Sequence, residues 1–68
     1  MRRNVLDKNR MIIGFLDIDE NFINAFSIKK GWVGRYSKNI DMTFDRNGVM
    51  YTFGDATETL IRNAEDEI

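Results

Sequence analysis

The 68 residues include no cysteine and no histidine. The first absence removes disulfides, and the two together remove thiolate and imidazole zinc sites. They also remove the side chains that most often act as nucleophile or general base near neutral pH, leaving carboxylates, Lys, Ser, Thr and Tyr. No Asn-x-Ser/Thr sequon is present. The apolar run MIIGFL (11–16) falls well short of a membrane span or a signal-peptide core. A soluble cytoplasmic protein is the expectation, with no membrane partner. Excess charge is missing too: the formal net charge is −1, so nothing pulls the whole chain toward DNA or an acidic bilayer.

What is present is a single short domain, 1–68, with 43% hydrophobic residues. A chain of this size buries only roughly 60% of its unfolded surface. Without disulfides or a zinc site, its stability must come from an efficient core or from self-association. Charge is distributed in blocks: residues 1–10 carry +3, 11–28 carry −3, 29–38 carry +4 and 55–68 carry −4. Such alternation usually marks solvated turns and neutralising neighbours.

The chain is internally repetitive. LDKNRMIIGF (6–15) matches FDRNGVMYTF (44–53), and FSIKKGWVGRY (26–36) is a weaker copy between them, with Gly34 on Gly14. Each unit has the size of two short strands and their turns. Asn47-Gly48 predicts a two-residue type I′ hairpin turn. Asn9-Arg10 and Lys30-Gly31 occupy the corresponding places. Six strands are expected, at 4–7, 11–16, 22–28, 32–36, 40–45 and 49–53. IDMTFD alternates cleanly, whereas MIIGFL and VMYTF are apolar on both faces, as in strands covered on both sides.

The fold class expected is therefore mainly β (α+β). Three antiparallel hairpin repeats over 4–54 would form a small meander or barrel, followed by a C-terminal helix at 56–65. Asp55 and Glu58 have capping-box spacing. Ala56, Leu60, Ile61 and Ala64 fall near one helical stripe. Glu65, Asp66 and Glu67 put negative charge at the negative end of the helix dipole. Residues 66–68 should fray unless Lys29, Lys30 or the N-terminal arginines receive them.

The turn of apolar residue, Asp, basic residue, Asn and Gly, followed by a short strand with Gly, resembles the small bacterial β-hairpin repeat proteins of the four-fold β-flower type. Related-looking motifs occur in YD-type and WG-type repeats. The resemblance covers about residues 4–54 and implies a compact antiparallel assembly. It carries no established activity to transfer. The chain departs from that pattern in having three units, Thr52 in place of the glycine of the other units, and an added helix.

Candidate chemistry is sparse. Ser27 and Ser37 lie outside any nucleophile-elbow context, and Asp17, Asp19 and Glu20 cluster in a solvated loop. DIDENF (17–22) begins like a calcium loop, but Phe22 stands where the turn glycine belongs and Ile28 where the closing glutamate belongs. GWVG (31–34) spells the G-x-x-G of KH domains, yet its flanks are strands rather than helices. No catalytic residue, metal site or cofactor is expected, and the chain is read as not an enzyme.

Three readings of function remain, the third being that the acidic tail is a charge mimic occupying a partner's basic site. The first is a non-catalytic, small interaction protein with a protein-binding surface, self-associating as a homo-oligomer, of a kind suited to a bacterial or phage accessory or inhibitor protein. Its candidate partner surface is Trp32, Tyr36, Tyr51 and Phe53, since aromatics anchor such contacts. The second is a small β-barrel binding nucleic acid. There Trp32 and Tyr36 would stack bases, and Arg2, Arg3, Lys29, Lys30, Arg35 and Lys38 would meet phosphates. Simple alternation puts Trp32, Gly34 and Tyr36 on one face, opposite Val33 and Arg35. Alignment with Ile12 and Met50 places Trp32 in the core, with Gly34 leaving room for a neighbouring ring.

Overall fold

The computed structural model describes residues 1–67. Its strands are β1 (Arg2–Leu6), β2 (Ile12–Ile18), β3 (Phe22–Ser27), β4 (Gly31–Ser37), β5 (Met42–Asp45) and β6 (Met50–Phe53). They are followed by one helix, α1 (Thr57–Asp66). The strands form one antiparallel sheet in the order β1-β2-β3-β4-β5-β6. The sheet is an open meander rather than a barrel, with β1 and β6 at its two edges.

The turns are built from local side-chain hydrogen bonds. The Asp45 carboxylate accepts from the N–H groups of Asn47 and Val49, at 2.9 and 3.1 Å. Gly48 donates to the Asp45 carbonyl and carries φ 78°. This is a three-residue loop with a left-handed residue at its end, not the two-residue type I′ turn expected from Asn47-Gly48. Asp7 repeats the arrangement at 2.8 and 3.0 Å. Its left-handed position falls on Arg10 (φ 63°), with no glycine to relieve it. In the middle hairpin Ser27 substitutes for the aspartate, its hydroxyl accepting the Lys30 N–H at 2.7 Å.

Each hairpin slips register at the same step. The irregularity falls between Val5 and Leu6, between Ala25 and Phe26, and between Thr43 and Phe44, each time where the returning strand carries one extra residue. The extra residues are Ile13, Val33 and Tyr51. Such bulges bend the strand and re-aim the side chains beyond them. The repeat in the sequence is thus a repeat of bulged hairpins.

The helix covers one face of the sheet and rests on β2, β3 and β4. Between them lie Val5, Ile13, Leu16, Ala25 and Val33 from the sheet and Leu60, Ile61 and Ala64 from the helix, all buried. Leu16 and Ile61 are fully excluded from water, each contributing about 2 kcal/mol of apolar burial. Gly14 and Gly34 let the helix approach. A Cβ on Gly14 would stand 2.8 Å from Ile61 Cγ2, and one on Gly34 would stand 2.7 Å from Leu60 Cδ1. Gly34 therefore makes room for the helix, not for a neighbouring ring.

The start of the helix is fixed by β5. Buried Thr43 donates its hydroxyl to the Gly54 carbonyl (2.6 Å) and accepts the Ala56 N–H (3.0 Å). Asp55 accepts the Thr57 N–H at 3.0 Å, but from the position before the N-cap, which is Ala56 and makes no side-chain cap. Glu58 does not complete the box; it pairs with Arg3 and Arg62 instead. Thr57, not Ala56, completes the buried stripe. At the other end, Lys29 Nζ donates to the Glu65 carbonyl at 2.8 Å and Lys30 lies 3.4 Å from the Glu67 carboxylate. The middle turn receives the acidic end as foreseen, and Asp66 is still helical. Of the tail expected to fray, Ile68 lies outside the described residues.

Candidate functional site: the uncovered face of the sheet

The face turned away from the helix carries an extended apolar surface. The register places Leu6, Ile12, Phe15, Phe26, Trp32 and Phe44 on it, with Met42, Met50 and Phe53 toward β6. Trp32 is 39% exposed and Phe53 70%. Phe15 and Phe26 stack across β2 and β3, with centroids 4.8 Å apart and planes 11° from parallel. The Arg2 guanidinium lies 4.1 Å above the Phe15 ring, and that of Arg35 lies 4.5 Å above the Phe22 ring. Both contacts have cation–π geometry. Trp32 Nε1 donates to Asn24 Oδ1 at 3.1 Å, which holds the indole over the sheet. A depression of about 310 Å3 opens beside it, lined by Trp32, Arg35, Phe44, Asp45 and Gly48.

The structure divides the expected partner surface. Trp32 belongs to the layer of Ile12 and Met50, as the repeat alignment requires, but that layer is the uncovered face and not the core. The bulge at Val33 breaks the alternation, so Trp32 and Tyr36 stand on opposite faces while Arg35 joins Trp32. Tyr36 pairs with Ile23 and Thr43, on the helix side. Its hydroxyl donates to Asp41 Oδ1 at 2.6 Å, and that bond raises the phenol pKa above its ordinary value. Tyr51 faces the helix as well, accepting from Asn63 Nδ2 at 3.2 Å. Of the four aromatics, Trp32 and Phe53 share the open face.

The candidate nucleic-acid contacts are scattered in the same way. Arg3 is 3.0 Å from Glu58 on the helix, Lys29 and Lys30 hold the helix end, and Lys38 Nζ donates to the Asp19 carbonyl at 2.7 Å. Only Arg2 and Arg35 project over the open face, and Asp17 sits opposite Arg2. The acidic loop is occupied by the backbone. Asp19 accepts from Phe22 and Asn21 N–H groups at 2.7 and 2.9 Å, and these bonds hold its carboxyl below the usual carboxylate range.

Sequence reasoning missed Phe15, Phe22, Phe26 and Phe44 as parts of this surface. For Phe15 the signal was available in the apolar excess of MIIGFL, which one covering helix cannot bury on both sides. Among the described residues, no helix is long and apolar enough to cross a membrane. Comparison with family models, with curated proteins and with solved structures returns no match.

Proposed function

We propose that the chain is a non-catalytic interaction protein that works by presenting the uncovered sheet face to a protein partner, and that it self-associates. The observation that carries this reading is the face itself: aromatic and aliphatic side chains occupy it, while four of the six candidate phosphate-binding cations are turned to the helix or to a loop carbonyl. A partner would place an apolar or aromatic side chain in the depression between Trp32 and Phe44, with Arg35 at its rim. Buried aromatic and arginine anchors dominate the energy of such contacts. Residues with catalytic potential are spent on turns, as Asp7, Asp19 and Asp45 are.

The test is co-purification from the native host with the intact chain, with Trp32→Ser and Phe44→Ser, and with Arg3→Ala as a helix-side control. A specific partner retained by wild type and Arg3→Ala and lost by both face variants supports the reading. Retention by all four forms sinks it. A parallel titration with single-stranded and duplex oligonucleotides at low salt should stay flat. Binding that falls steeply with salt and is lost in Arg35→Ala would instead favour the nucleic-acid reading.

A further inference from the structure

The two edges of the sheet are constructed differently. Edge strands expose unpaired N–H and C=O groups, and soluble proteins blunt them with charge, proline or a bulge that twists the edge away. At β1 the sequence RRNVL places Arg2 and Arg3 on the edge strand, both exposed. At β6 the sequence MYTF, preceded by exposed Val49, has no charge and no proline. Its bulge lies at Tyr51, whose ring is drawn toward the helix by Asn63. Gly54 gives its N–H inward to the Asp41 carbonyl at 2.8 Å, so strand alternation directs the N–H and C=O of Phe53 outward. The helix rests on β2, β3 and β4 and leaves this edge uncovered.

From this we propose that β6 is the self-association surface, pairing antiparallel with β6 of a second copy about a two-fold axis. This rests on the self-association named above and gives it a place. The occupant follows from charge. A two-fold pairing sets identical segments against each other, which at β1 would bring Arg2 and Arg3 against their own copies. At β6 it opposes only Val49, Met50, Tyr51, Thr52 and Phe53. The resulting sheet would join the two aromatic faces side by side and leave both depressions open, so pairing and partner binding do not compete.

The absence of cysteine makes a clean test possible. In a two-fold antiparallel pair the central residue meets its own copy at a Cα separation of roughly 4.5–5.5 Å, within disulfide reach. Single variants Tyr51→Cys, Thr52→Cys and Phe53→Cys, with Arg3→Cys and Trp32→Cys as controls, are oxidised at concentrations where the chain associates. Cross-linked dimer is expected from one or two of the β6 positions and from neither control. Sedimentation across concentration should show dimerisation weakened about tenfold or more by Tyr51→Lys, which sets like charges together at the edge. Trp32→Ser should leave it unchanged, with circular dichroism confirming that each variant is folded. A wild-type chain that stays monomeric at high concentration overturns both this proposal and self-association. A dimer that cross-links through Trp32→Cys and survives Tyr51→Lys overturns the edge alone.

Discussion

The two faces of this sheet come from the same strands but follow different rules. Under the helix the side chains are small or medium and the contacts are close: Ala25, Val5 and Val33, with Gly14 and Gly34 admitting Ile61 and Leu60. On the other side the side chains are large, the indole N–H is tied to Asn24, arginines stack on Phe15 and Phe22, and water still reaches the rings. Close packing that tolerates no added atom holds a fold together, whereas bulky rings left half open suit recognition. The covered face therefore maintains the structure, and the open face is the one we propose for recognition.

Gly34→Ala should produce the largest effect. Its Cβ would meet Leu60 and the Phe44 backbone, at a φ of 149° that side chains rarely adopt. A loss of about 3 kcal/mol is expected, from overpacking and strain together, read as a fall in the urea midpoint. A wild-type midpoint in this variant would break the comparison from the helix side. Trp32→Ser, on the open face, should cost only about 1 kcal/mol, because much of the indole already meets water. If Trp32→Ser proved as damaging as Gly34→Ala, the indole would be a core residue after all.

The smallest effect concerns the rim. Tyr36 has a raised pKa because its hydroxyl donates to Asp41. A group whose folded pKa is raised adds stability that is fully present below its unfolded value, here 10.0, and lost as pH rises through the folded value. Asp41→Asn should bring tyrosinate absorbance in at lower pH than in wild type. An unchanged titration would show that the bond does not persist in solution.

Much of this architecture was legible in the sequence. The spacing of LDKNRMIIGF and FDRNGVMYTF marked the hairpins, and DATETLIRNAED carried the helix with its stripe of Leu60, Ile61 and Ala64, although Asp55 stands one residue before the N-cap rather than on it. The alignment of Ile12, Trp32 and Met50 also named a true layer. What composition could not show was the side of the sheet to which that layer belongs, because Trp, Ile and Met suit an interior and an interface equally. Alternation failed at Val33, where the inserted residue inverts the register and separates Trp32 from Tyr36. A bulge has no local composition of its own; here only its recurrence at Ile13 and Tyr51 betrays it. Gly34 was misread for a related reason, since the side chain it accommodates, Leu60, belongs to a helix more than twenty residues away in the chain.

The helix clamps the middle of the meander and leaves its flanks to their own ladders. Breathing motions should accordingly start at the rim, with the short last hairpin opening before the central strands. Amide hydrogens of Ala25 and Val33 would then exchange only in rare global excursions, while those of Met50 to Phe53 exchange readily in an isolated chain. A strand that loosens so easily is cheap to recruit, because little native pairing must be surrendered before something else takes its place alongside.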